Sequence, residues 1–325
     1  MTNPRNRWLA GAVLAGLALA YPYLITVPYY LHLGILALVW VILAQGQNLV
    51  QGYTGYVSIA QGGFMGVGAY LSTILSVKLG WPVWGTIALA PVATGVFALI
   101  VGYPSLRVKG HYFAIVTLAY NMVIFVVFMN FTSLTGGESG IAKIPRPESF
   151  ELPGFGEVSF TSRLGFYYLA LAWTALAMLV AVLVVRSRVG RVLVAIRQNE
   201  PLADALGVAC WRYKLFAFVA SAVYAGLSGA LFAHYMGYIN PAPFAADTSL
   251  NAILAVILGG SGTLTGPVVG AAVVTFLPEY LRVAETYRLI AYGLILVLAT
   301  IFMPRGIVPI VAAAWRRIAA RAGGR

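Results

Sequence analysis

Acid is what this sequence has least of. Nine Asp and Glu stand among 325 residues against 21 Lys and Arg, and the first acid is Glu138. No apolar stretch carries an acidic pair. A membrane phosphatase or prenyltransferase would need such a cluster to hold Mg²⁺, and an ion-coupled carrier usually keeps a carboxylate within the membrane. Histidine is scarce too: His32, His111 and His234 are far apart, with no second ligand three or four residues on, so no metal site is expected. The stretch LTGGESGI (134–141) has the glycines of a phosphate loop but not its Lys-Ser/Thr ending. The chain is therefore expected to bind no cofactor, to be no enzyme and to hydrolyse no ATP itself. With Cys210 as the single cysteine, no internal disulfide can form.

Charge of either sign is rare. Charged residues make up 9% of the chain and hydrophobic ones 61%, whereas soluble domains average about 25% charged. Such a chain cannot cover its surface in water. It reads as an all-α polytopic membrane protein of about eight to ten segments, some broken by glycine, with inverted repeats possible. The net charge of +12 sits in short clusters between apolar blocks. That fits loops facing anionic lipid and not the broad basic stripe of a nucleic-acid-binding domain, so no nucleic acid is expected as a partner.

What the chain does have is apolar length and glycine. Residues 1–25 pair Arg5 and Arg7 with an apolar run; they imitate a signal peptide but read better as an N-terminal transmembrane helix. Spans follow at about 29–50, 82–103, 112–131, 165–185, 215–238 and 287–303. Two blocks differ. Residues 51–77 contain Gly52, Gly55, Gly62, Gly63, Gly66 and Gly68; residues 249–281 contain Gly259, Gly260, Gly262, Gly266, Pro267 and Gly270. Glycine in a membrane either lets helices approach closely or permits a broken helix lining a cavity. The first block allows both uses, and the second reads as two half-helices around a break. Asn121, in mid-span with Thr117 and Tyr120, serves either as interhelical glue or as pore lining.

Orientation follows from the bases. Arg5 and Arg7 place the N-terminus inside. Alternation then puts 103–111 and 186–214 inside, and the loop 132–164 and the turn 239–248 outside. The tail 309–325, with Arg316, Arg317, Arg321 and Arg325, is basic and free of acid. It reaches the inside only if 249–281 crosses twice or dips and returns. Charge and glycine thus ask for the same break.

The largest polar island is 186–214, with Arg186, Arg188, Arg191, Arg197, Arg212 and Lys214. Within it, Asn199 to Gly207 is fully punctuated as a short helix. Asn199 is a candidate N-cap, Pro201 suits the first turn, Glu200 and Asp204 complement the dipole, and Gly207 suits the left-handed C′ position. A helix of about two turns is unstable alone. It lies on lipid or presents a knob to a cytoplasmic partner.

GRVLVAIRQNEPLADALGV (190–208) resembles the coupling loop of ABC importer permeases, with Ala203-Asp204-Ala205 and Gly207 matching the Glu-Ala-Ala…Gly signature loosely. GYTGYVSIAQGGFMGVGAY (52–70), KGHYFAIVTLAY (109–120), LTGGESGI (134–141), GGSGTLTGPVVGAA (259–272) and YGLILVLATIFMPRGIV (292–308) resemble permeases of the high-affinity branched-chain amino acid importers, the LivM-like branch. The likeness covers residues 35–308, within a permease domain of 26–308. It implies a multi-pass protein of the bacterial cytoplasmic membrane that works with a second, LivH-like permease subunit, two ABC ATPase subunits and an extracytoplasmic solute-binding protein. It implies that Arg197, Glu200, Ala203, Asp204 and Gly207 couple to the ATPases. The candidate translocation path comprises Tyr53, Ser58, Gln61, Gly62, Phe64, Thr117, Tyr120, Asn121, Gly259, Gly260 and Ser261. Departures from the family pattern at Gln61, His111 and Tyr120–Asn121 keep urea or short amides open as alternatives to branched-chain amino acids. A secondary carrier is the alternative from another class.

Overall fold

A computed structural model describes residues 16, 18–23, 27–106, 108, 110–152, 156–281, 288–303 and 306–322. Most of the helix expected over 1–25 lies outside the described residues, as do Arg107, Lys109 and the turn after 281.

The described elements are almost all helical. Helix α1, Pro28–Gln47, runs on through a π-helical turn, Asn48–Gly52. After a non-helical stretch at 55–60 come α2 (Gln61–Val77), α3 (Val83–Ser105) and α4 (His111–Asn130). The loop beyond α4 holds a first short strand, β1 (Ile141–Ala142), and a small hairpin, β2 (Phe150–Leu152) with β3 (Gly156–Val158). Then follow α5 (Arg163–Arg186), α6 (Arg188–Gln198), α7 (Glu200–Ala205) and α8 (Cys210–Met236). Strand β4 (Tyr238–Ile239) pairs antiparallel with β1 and ties that loop to the end of α8. The chain ends in α9 (Ala246–Gly259), α10 (Gly266–Tyr280), α11 (Arg288–Phe302) and α12 (Ile307–Ala322).

Five of these helices are long and apolar enough to cross a membrane: α1 with its π-turn, α3, α4, α5 and α8. Their burial ranks them. The apolar windows of α1 and α8 are 83% and 67% buried, those of α4 and α5 only 28%. So α1 and α8 form the centre. The outer helices expose Ile115, Val123 and Val126 on α4 and Leu176, Leu179 and Leu183 on α5, faces that lipid or another subunit must cover. In lipid the hydrophobic effect does not draw helices together, so small residues and close packing do. Between α2 and α8 this is literal. A methyl on Gly68 would strike the backbone of Gly226, and one on Gly229 would strike the Met65 carbonyl.

Both glycine-rich blocks are broken. The first uses its glycines both ways: the chain leaves the helix at Gly55 and resumes at Gln61, and α2 then packs tightly on α8. The second folds back on itself. Gly259 lies against Gly266 and Gly270 against Ala255, so α9 and α10 form an antiparallel hairpin about the turn 260–265. Gly306, just before α12, packs on Gly260, which brings the chain back to the end of the bundle it had reached at that turn. One expectation needs correction. Residues 239–248 are not a simple surface turn: they descend into the bundle, and Phe244 is fully buried against the rings of Tyr70, Phe128 and Phe232. Apolar burial of that ring holds the chain down, and α9 therefore starts deep.

Candidate functional site

Two junctions organise the polar residues. The first lies deep in the bundle, where α2 and α9 begin. Neither helix is capped by its own N-cap side chain, and the orphan N–H groups of a helix start need partners when buried. For α2 the partners come from other helices. Gly62 N–H donates to Ser249 Oγ at 2.8 Å, and Gly63 N–H donates to Asn121 Oδ1. Just before α2, Ile59 N–H donates to Thr117 Oγ1 at 3.0 Å. The fit is close: a Cβ on Gly62 would come within 2.5 Å of the Ala245 carbonyl. Ser58, Gln61, Thr117 and Asn121 are all buried here.

The second junction lies at the end of the bundle that carries the basic segment 186–214. It has the short helix that the capping pattern predicts. Asn199 Oδ1 accepts from Leu202 N–H at 3.1 Å, and Gly207 takes φ +85°, with the Val208 N–H returning to the Ala203 carbonyl. Ala203 is buried beside Ile196 and Cys210. Asp204 and Gly207 are exposed, and so are the apolar side chains of Leu202 and Leu206, at 56% and 76%. The helix therefore sits on α6 and α8 by one residue and leaves an apolar, acid-edged face outward.

Two links run inward from it. Glu200, at the start of α7, accepts from Lys214 Nζ at 2.6 Å and from Tyr56 Oη at 2.5 Å, and the Lys214 ammonium lies 4.6 Å from the Tyr56 ring centroid. Glu200 and Lys214 side chains are 16% and 4% exposed, so their attraction is poorly screened. Arg197, at the end of α6, donates to the Gly52 carbonyl, lies over Gly55, and also lies against Gly262. Asn48 completes the knot: its Nδ2 donates to the Thr263 carbonyl at 2.9 Å, and its Oδ1 accepts from Gly262 N–H at 2.9 Å. The basic element thus holds the π-turn ending α1 and the turn between α9 and α10 together.

The sequence-predicted path residues divide between these junctions. Ser58, Gln61, Gly62, Thr117 and Asn121 gather at the first. Gly259 ends α9, and Gly260 and Ser261 open the turn that follows it at the second junction. Tyr53 closes the π-turn and is buried, Tyr120 is half-buried on α4, and Phe64 is in the core against Phe97 and Phe218. Sequence reading missed Asn48, Tyr56 and Ser249, and it did not pair Lys214 with Glu200. Nothing local marks the first three, because each acts on a residue far along the chain.

A family profile described as "Branched-chain amino acid transport system / permease component" matches residues 29–300. The chain is 31% identical over 314 residues, 90% of its length and 73% of the relative's, to the high-affinity branched-chain amino acid transport system permease protein LivM of Escherichia coli. To the corresponding LivH protein of Escherichia coli it is 28% identical over 82% of the chain and 90% of that relative. A more distant likeness, 22% over 55% of the chain and 59% of the relative, is to the guanosine ABC transporter permease protein NupQ of Bacillus subtilis. No solved structure matches.

Proposed function

The chain belongs to the family of branched-chain amino acid transport system permease components, and from that premise we propose that it carries branched-chain or related hydrophobic amino acids inward across the bacterial cytoplasmic membrane. It is a multi-pass membrane subunit of an ABC transporter and not an enzyme. Hydrolysis belongs to two partner ATPases, delivery to a solute-binding protein on the opposite face, and the second half of the pathway to a LivH-like permease. Both termini then lie in the cytoplasm, with the basic element 186–214.

One observation supports this reading above the others: α6 and α7 touch both breaks at once, through Arg197 to Gly52 and Gly262 and through Glu200 to Tyr56. An ATPase pair that closes moves the exposed face of α7. Because Arg197 and Glu200 are anchored at the breaks, through Gly52, Tyr56 and Gly262, that motion is delivered to the broken segments and not spread along a continuous helix. The coupling is thermodynamically meaningful only if the two conformations differ in their contacts with the ATPase, and the exposed Leu202 and Leu206, with Asp204 beside them, are the groups placed to make that difference.

The test is uptake by the purified complex in proteoliposomes, with leucine, isoleucine, valine, urea and acetamide as a panel. Binding-protein-dependent uptake of the amino acids, lost on omission of either ATP or the ATPases, is expected. Uptake that persists without ATPases, or that follows an ion gradient, would make the chain a secondary carrier.

A further inference from the structure

Segment 58–63, where the chain crosses its first break and enters α2, is held by polar side chains from three helices. Gln47 Nε2 on α1 donates to the Ser58 carbonyl at 3.1 Å, and Thr117 Oγ1 on α4 accepts from Ile59 N–H at 3.0 Å. Ser249 Oγ on α9 accepts from Gly62 N–H at 2.8 Å, and Asn121 Oδ1 on α4 accepts from Gly63 N–H. These side chains have bonding capacity to spare. Gln47, Asn121 and Gln61, the last within the segment itself, are fully buried. Yet Gln47 Oε1, Asn121 Nδ2 and both amide atoms of Gln61 have no partner. A buried polar atom without a partner costs free energy comparable to a lost hydrogen bond or more. Four of them on the groups that form and hold one short segment need an explanation beyond packing.

Depth makes that cost matter. At about 1.5 Å per residue, α2 rises about 25 Å from Gln61 to its far end, where Lys78 Nζ donates to the Ser133 and Leu134 carbonyls of the loop. The segment therefore lies well inside a bilayer about 40–45 Å thick with its headgroup regions, where bulk water does not serve a spare amide. Its chemistry is also specific. Every side chain that bonds the segment is an amide or a hydroxyl, and none is ionisable. Of the spare groups, Gln47 offers an acceptor, Asn121 a donor, and Gln61 one of each. A solute of net charge would meet no counter-charge here, and burying it would be expensive. A net-neutral solute that both donates and accepts is matched. An α-amino acid is one, since its ammonium donates and its carboxylate accepts; an inorganic ion is not.

We propose that segment 58–63 is the gate of the translocation path, and that the amides of Gln47, Gln61 and Asn121 exchange hydrogen bonds with a net-neutral solute as it passes. The inference rests on the transport function above and specifies which groups meet the solute. In the packing observed, the four bonds to the segment hold the gate shut. Its flank is gripped from the basic element. Glu200 accepts from Tyr56, two residues before Ser58, and Arg197 lies over Gly55. Movement of that element therefore pulls on the gate directly. As the segment leaves its partners, the amides that held it join the spare ones in serving the solute.

The experiment uses the full importer in proteoliposomes, with tritiated leucine as probe and ATP hydrolysis measured in parallel. Gln61→Leu is the sharpest variant, because the Gln61 amide makes no bond that the fold would lose. Loss of one hydrogen bond to a charged group corresponds to about tenfold or more, so leucine uptake is expected to fall by at least that factor. Thermal stability at or above that of wild type is expected, with hydrolysis stimulated by leucine-loaded binding protein retained. Gln61→Cys in a Cys210→Ser background, which supplies the reference, tests access independently. Methyl methanethiosulfonate is expected to label the new thiol about tenfold faster during turnover than without ATP. Uptake within about twofold of wild type in Gln61→Leu, or labelling at one rate with and without turnover, would overturn the gate and leave the transport function standing. Loss of uptake together with stimulated hydrolysis and thermal stability would also overturn it, because it marks a structural role. Wild-type uptake that persists without the ATPases would instead overturn the function on which the gate rests.

Discussion

Lys214 and Glu200 form a pair in which each member depends on the other. Each is largely removed from water, and Glu200 has a second donor in Tyr56. Removing one partner from a buried pair leaves a bare charge and costs about 3–5 kcal/mol, whereas replacing both is often close to neutral. Lys214→Met should therefore lower the thermal stability of the detergent-purified protein well below that of the Lys214→Met/Glu200→Gln double variant. With Glu200→Gln as the second single variant, the comparison is a double-mutant cycle read by thermal unfolding. Equal stability of the single and double variants would mean that the pair is not closed in the folded protein. Arg197 differs in kind. It bonds a backbone carbonyl, lies over Gly55 and also contacts Gly262, so its planar guanidinium matters as well as its charge.

At the scale of elements, α7 is the part designed to be seen from outside. It is too short to stand alone, and it is held by Asn199 at one end and by the left-handed Gly207 at the other. A residue with a Cβ at φ +85° is strained by about 1–2 kcal/mol, and Asn least so. No heavy atom lies within 4 Å of a Cβ at Gly207, so strain alone decides. Gly207→Asn should keep near-normal uptake, while Gly207→Pro, whose ring fixes φ near −65°, should abolish coupling without loss of membrane insertion. Asp204→Lys should act the same way by reversing charge on the outward face. Wild-type uptake from both Gly207→Pro and Asp204→Lys would remove the docking role from this helix. A different element-level test concerns α2 and α8: Gly68→Leu should reduce the yield of folded protein, because the backbones meet there.

These elements were not equally legible in the sequence. Helix α7 was, because capping is local: Asn199, Pro201 and Gly207 carry the whole signal within nine positions. The hairpin of α9 and α10 was legible because two independent constraints, the basic tail and the glycines, required a return near 260. The start of α9 was not. Residues 239–248 look like a surface turn, and only the seating of Phe244 among Tyr70, Phe128 and Phe232 draws them down. That is a tertiary effect with no periodic trace. The deep site was half legible. Gln61 and Asn121 stand out as polar residues in apolar runs, but the junction of the start of α2 with Ser249 of α9 depends on that descent. The bonds of Arg197 to Gly52 and of Glu200 to Tyr56 join residues more than 140 apart in sequence, and no spacing rule finds them.

The whole molecule is one membrane subunit of an ABC transporter. Its two central helices are well buried, but α4 and α5 leave long apolar faces uncovered, and α7 presents exposed Leu202 and Leu206 at the basic end. We propose that a second permease and lipid cover the first and the ATPases the second. The chain's own contribution is then to convert a push at α7 into separation of two helix starts deep in the membrane. The ratio of leucine imported to ATP hydrolysed, measured on the reconstituted importer with wild-type chain and with Arg197→Lys, tests that conversion most directly. Lysine keeps the charge at Arg197 but cannot bridge Gly52 and Gly262 with a planar fork. Hydrolysis that continues while import per ATP falls by about tenfold is the expected result. An unchanged ratio would contradict it, because the push would then reach the pathway without passing through Arg197.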